Sequence, residues 1–132
     1  MKIALDAFGS DNAPFPEVEG AVMAVIENVC EKIYLVGDKK ILEKELDKYI
    51  YPKEKIEVVH ASEIISMDDN ASTAARTKQD SSMVKSLLLT KDKITNATLS
   101  VGNTGAVMAA SLFTLGRIKN VSRPAIAITF PT

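Results

Sequence analysis

Two short stretches of this chain pair flexible backbone with the polar groups that hold anions. In Ala97-Thr98-Leu99-Ser100-Val101-Gly102-Asn103-Thr104-Gly105-Ala106-Val107 a β-favouring run ends in Gly-Asn-Thr-Gly, and a helix-forming run follows at once. Such a junction gathers unpaired backbone N–H groups and about half a positive charge at a helix N-terminus. Gly102 and Gly105 keep side chains out of a ligand's way, while Asn103 and Thr104 add an amide and a hydroxyl. The chemistry this suits is anion binding, with phosphate the first candidate. The plainer alternative is a tight strand-to-helix turn capped by Thr104.

The second stretch, Lys78-Gln79-Asp80-Ser81-Ser82, opens another helix and offers an ammonium group, two hydroxyls and fresh helix N–H groups. It suits a phosphate or an acyl oxyanion, or simply a capped surface helix with Lys78 in solvent. A third candidate is the loop Asp6-Ala7-Phe8-Gly9-Ser10-Asp11 at the end of the first strand-like run. In parallel sheets ligands bind beyond the carboxyl ends of the strands. Against that, Asp6 could merely bond to loop amides and Asp11 be solvated.

Other polar residues carry less. Asp38 stands where a helix cap belongs. Asp68 and Asp69 are adjacent, so their side chains diverge, as suits a solvated loop better than a metal site. His60, the one histidine, reads as structural, and Cys30, the one cysteine, excludes an internal disulfide and a cysteine metal cluster. Neither Gly-x-Gly-x-x-Gly nor a Walker A loop occurs. No metal and no cofactor is expected.

The elements that must position these residues alternate. Strand-like runs cover 2–6, 32–37, 55–60, 97–101 and 125–130. Helical patterns cover about 16–29, a segment behind Asp38 with Ile41, Leu42, Leu46 and Tyr49, a turn or two through Ala74-Ala75-Arg76, a helix capped by Asp80 or Ser81, and about 104–116. This alternation predicts one α/β domain over 1–132, a three-layer α/β/α arrangement around a largely parallel sheet. The last strand has no helix behind it, which suggests a truncated chain or a missing second half.

With 46% hydrophobic and 25% charged residues and a net charge of −1, the chain reads as soluble and globular, with no basic face for nucleic acid. No apolar run is long enough to span a bilayer, and no signal peptide precedes the first strand. A cytoplasmic protein is expected.

Six collinear blocks carry a resemblance. Asp6-Ala7-Phe8-Gly9-Ser10-Asp11 resembles the Asp-Ala-Met-Gly-Gly-Asp opening of bacterial phosphate acyltransferases (acyl-ACP:phosphate acyltransferases) of phospholipid synthesis. Leu35-Val36-Gly37-Asp38, His60 to Ile65, Lys78 to Met83, Ser100 to Ala106, and Leu115 to Lys119 with Arg123-Pro124-Ala125 are similar to that family in its order. Phe8 and Ser10 depart from the usual Met and Gly. The match covers this whole chain but well under half of a family member.

The resemblance implies an isocitrate/isopropylmalate-dehydrogenase-like fold and the N-terminal part of a longer enzyme. It further implies transfer of a fatty acyl group from acyl carrier protein (acyl-ACP) to inorganic phosphate, giving acyl phosphate. A homodimer with at most peripheral membrane association is expected, and residues 1–132 alone should be inactive. Within this reading Lys78, Asp80 and Asn103 are the catalytic candidates. Asp6, Gly9, Asp11, Ser81, Ser82, Gly102, Thr104 and Gly105 are the candidates for holding substrate and phosphate. A short-chain phosphate acetyl- or butyryltransferase, a non-catalytic phosphate- or nucleotide-binding module, and a scaffold half that acts by dimerising are the alternatives.

Overall fold

The computed structural model describes residues 1–131. Its elements are β1 (Lys2–Asp6), α1 (Phe15–Ile26), β2 (Lys32–Gly37), α2 (Lys39–Leu46), β3 (Ile56–His60), α3 (Ala71–Thr77), α4 (Ser82–Lys91), β4 (Ala97–Leu99) and α5 (Thr104–Thr114). A single 3-10 turn, Lys53–Lys55, precedes β3. The sheet has four parallel strands in the order β3-β2-β1-β4. The expected α/β architecture around a parallel sheet is present.

Strand alternation divides the molecule into its layers. Ile3 and Leu5 of β1 stand beside Ile33 and Leu35 of β2. They join Val18, Val22 and Val25 of α1 and Leu42 and Leu46 of α2 in one core. Ala4, Asp6 and Val36 occupy the opposite face, against α4. A second core joins Met83, Val84 and Leu87 of α4 to Ala74 and Ala75 of α3, Ala106 and Ala110 of α5, and Ile65. The alanines let α3 and α5 approach closely. Each fully buried Val, Leu or Met contributes about 1.5–3 kcal/mol relative to exposure.

Helix α2 stops short of Tyr49, α5 ends at Thr114 and β3 begins at Ile56, and three further departures from the sequence expectations bear on the site. Helix α1 stops at Ile26 rather than 29, because Asn28 adopts φ +56, the left-handed turn that ends a helix. Strand β4 stops at Leu99, and Ser100 instead turns its hydroxyl toward Asp6. The expected fifth strand over residues 125–130 does not form: Ile126, Ile128 and Phe130 are exposed. Residues 125–130 pair with no strand of the sheet: Gly116 (φ +79) turns the chain off α5, and Arg117 then bonds to the Ser122 carbonyl. β propensity needs a neighbouring strand to become structure.

Strand order also locates a switch point. From β1 the chain moves outward through β2 to β3, then returns to place β4 on the other flank of β1. The loops leaving β1 and β4 lie on either side of that reversal, where open α/β sheets hold ligands.

Candidate functional site

The site is built on a buried carboxylate. Asp6 ends β1 and is 1% exposed. Its Oδ1 accepts from Ser82 Oγ at 2.5 Å and from the Phe8 amide at 3.2 Å, and its Oδ2 accepts from Ser100 Oγ at 2.7 Å. Ser100 Oγ in turn accepts from the Gly102 amide at 3.1 Å. One side chain therefore joins the end of β1, the start of α4 and the turn between β4 and α5. Asp6 is a strut inside the site, not an exposed ligand for phosphate.

Gly9 and Gly102 bring the loops after β1 and β4 into main-chain contact. A Cβ on Gly9 would lie 2.9 Å from the Gly102 nitrogen. Above them Ser10 donates its amide to Glu17 Oε1 of α1, and Asp11 is exposed on the same loop. On the far side of the loop the Phe8 ring covers Gly37, where a Cβ would come within 2.2 Å of it.

The two helix starts differ. At α4, Ser81 is the N-cap and accepts from the Val84 amide at 3.2 Å. The Ser82 amide bonds to the Glu63 carbonyl, and residues 81 to 84 are all buried. That terminus is closed by protein. Asp80 does not cap it. Instead Asp80 accepts from the Ser62 amide and hydroxyl and pairs with Lys85 at 2.6 Å. Lys85, followed by the Ser62 bonds, holds the Asp80 carboxyl well below the usual carboxylate range.

At α5 the cap is Asn103, not Thr104: Asn103 Oδ1 accepts from the Ala106 amide at 3.1 Å. Its Nδ2 faces the carbonyls of Ser66, Met67 and Asp69 at 3.2, 3.4 and 3.2 Å. Both ends of this amide are thus occupied in holding the 66–69 loop to the helix start. The amides of Thr104 and Gly105 bond to no acceptor among the described residues, and Thr104 is exposed. Of the two expected anion sites, this is the one that remains open.

Lys78 is partly buried. It donates to the Ile64 carbonyl at 2.8 Å and pairs with Asp69 at 2.7 Å. That contact, followed by the bond from the Ser66 amide, lowers the Asp69 carboxyl. Lys78, Asp80 and Asn103 therefore lock the connection between β3 and α4 around the site. His60 is likewise occupied: its Nδ1 accepts from the Lys39 amide.

Beside the open turn lies a cavity of about 590 Å³ between α5 and the chain that follows it. Ser100, Gly102 and Thr104 line it from the turn, Val107, Met108 and Leu112 from α5, and Arg117 and Arg123 from the chain that follows. What such an arrangement can do is seat an anion on the α5 amides with an apolar group alongside. Ser100 was the member that sequence reading passed over. The signal was its place directly after a strand, obscured by extending that strand to residue 101.

The family model described as "Fatty acid synthesis protein" matches residues 1–132. A protein named phosphate acyltransferase from Alkaliphilus oremlandii is 52% identical over 132 residues, covering 100% of this chain and 39% of that protein. Proteins of the same name from Halothermothrix orenii (45% identical; 100% of this chain, 40% of that protein) and Clostridioides difficile (47%; 99% and 38%) are also similar. The chain spans about two fifths of the length of the curated relatives it matches.

Proposed function

The chain belongs to the fatty acid synthesis protein family, and on that footing we propose that it supplies one wall of the active site of a phosphate acyltransferase. The reaction moves a fatty acyl group from the thioester of acyl carrier protein to inorganic phosphate, giving acyl phosphate for phospholipid synthesis. The observation that carries this reading is the open α5 N-terminus, Gly102 to Gly105, in a chain 52% identical to a protein named phosphate acyltransferase.

The chemistry asks little of acid–base groups. A phosphate oxygen is already anionic, so it needs orientation and charge neutralisation rather than a strong base. It bonds to the thioester carbonyl carbon, the carbonyl electrons move onto oxygen, and collapse of that oxyanion expels the carrier's thiolate. Backbone N–H groups at a helix N-terminus stabilise both the phosphate and the oxyanion. The Thr104 and Gly105 amides and the Thr104 hydroxyl fill the binding role in this wall. Lys78, Asp80 and Asn103 act by holding the loop around it, a positioning part in place of the catalytic one expected.

Because the chain covers about two fifths of such proteins, residues 1–132 alone are expected to give no turnover. We assign acyl carrier protein as the partner, a homodimer as the assembly and the cytoplasm as the compartment. No helix of the described residues is long and apolar enough to cross a membrane. The test is to supply the complete protein with long-chain acyl-ACP and inorganic phosphate, with acetyl-CoA in a parallel arm. Phosphate-dependent acyl phosphate from acyl-ACP supports the reading; its absence refutes it, and turnover of acetyl-CoA alone shifts it to the short-chain enzymes.

A further inference from the structure

We propose that Ser100, held by Asp6, is a positioning residue that fixes the turn presenting the α5 amides to a phosphate oxygen. This rests on the reading of that turn as the phosphate site.

Ser100 Oγ donates to Asp6 Oδ2 at 2.7 Å, which commits the serine hydrogen inward. The lone pairs of Ser100 are then left for the Gly102 amide, 3.1 Å away. Gly102 is pinned two residues before Thr104, and its backbone is pressed on Gly9 from the other side. The turn can neither rotate without breaking the Ser100 relay nor slide without striking the β1 loop.

Asp6 lies behind the turn, enclosed by donors. Its partners are two hydroxyls and an amide, each of which bonds more strongly to a charged acceptor than to a neutral one. Burial at 1% exposure keeps the carboxylate itself off the ligand, while Ser100 reaches the cavity wall. Geometry is transmitted and the negative charge is held back.

The test uses the complete protein with S100A, S100T and S100C. Dissociation constants for inorganic phosphate are measured by phosphorus NMR titration, alongside KM for phosphate, kcat and melting temperature. Loss of the Ser100 hydroxyl's hydrogen bonds predicts phosphate binding weakened about tenfold in S100A, with KM for phosphate rising in parallel. S100T keeps the hydroxyl and should bind within about twofold of the parent. If S100A does not fold, S100C, similar in shape but a poor hydrogen bonder, takes its place in the comparison. Unchanged phosphate affinity in S100A or S100C overturns the proposal, as does S100T binding as weakly as S100A. Failure of the parent to bind phosphate also overturns it, whereas a parent that binds phosphate but forms no acyl phosphate refutes only the functional reading.

Discussion

Gly9 and Gly102 abut main chain to main chain: a methyl on Gly9 would stand 2.9 Å from the Gly102 nitrogen and 3.0 Å from Asp6 Oδ2. Neither obstacle is the loose end of a side chain, so neither can swing away. The contact joins the two loops at the point where strand order reverses, and it sets how far apart they stand.

G9A should therefore force the loops apart. Overpacking of this kind costs about 1–3 kcal/mol, read as a lower urea midpoint with an unchanged slope. Acyl transfer by the complete protein should fall further than the lost stability explains, because the α5 turn moves with the loop. A G9A protein with parental midpoint and rate would show that the contact sets nothing.

Phe8 and Gly37 make the same kind of fit through a side chain. G37A drives a methyl to within 2.2 Å of the Phe8 ring and should destabilise the fold, while F8A empties a buried aromatic position at a cost of about 3–5 kcal/mol. In the G37A/F8A double variant the alanine methyl partly fills the vacated space. The double-mutant cycle should return a favourable coupling of about 0.5–3 kcal/mol. Strict additivity in thermal or chemical unfolding would count against the packing described.

Acid should loosen the connection between β3 and α4 first. Lys85 holds the Asp80 carboxyl below the usual carboxylate range, and Lys78 does so for Asp69. The folded state thus binds these protons more weakly than the unfolded chain. Their stabilising contribution is complete above the unfolded carboxylate pKa of about 4. It drains as pH falls below that value toward the folded ones. D80N should flatten the acid limb of the stability–pH curve; an acid limb identical to the parent's would refute the assignment.

Asn103 does two jobs that substitution can separate. N103S retains a capping oxygen for the Ala106 amide but loses the Nδ2 bonds to the 66–69 loop, whereas N103A loses both, with the cap worth about 1 kcal/mol. Hydrogen exchange at the Asp69 amide, which bonds to the Ser66 carbonyl, should quicken in both variants. Only N103A should also fray the first turn of α5. Exchange at Asp69 unchanged in N103S would remove the loop-holding role.

The strand–helix alternation was legible because buried parallel strands and amphipathic helices leave strong periodic marks, as in Ile33-Tyr34-Leu35-Val36 and in Val18, Val22 and Val25. What sequence could not supply was partnership. Residues 125–130 have the composition of a strand but pair with none. Lys78 and Asp69 lie nine residues apart, yet meet only after α3 folds the chain back. Its place at a strand end marks Asp6 in the sequence as a candidate for holding phosphate or for bonding to loop amides. Its enclosure by Ser82 and Ser100 depends on contacts spanning most of the chain, which no local pattern encodes. The capping role falls to Asn103 instead of Thr104 because the helix begins one residue earlier than a Thr104 cap would place it.

The strand order β3-β2-β1-β4 also bears on how the protein is made. β1 leaves the ribosome before the other strands described, yet it ends up in the interior of the sheet, hydrogen-bonded on both sides. β2 can dock early, but the other edge of β1 waits for Ala97 to Leu99. At about 5–20 residues per second, translating the intervening chain takes roughly 5–20 s. Throughout that interval an unpaired parallel edge, with Asp6 still lacking its Ser82 and Ser100 partners, is open to other nascent chains. The contact between Ser100 and Asp6 comes with the strand that closes this edge of β1, so enclosing the carboxyl and ending the exposure are a single event in the life of the chain.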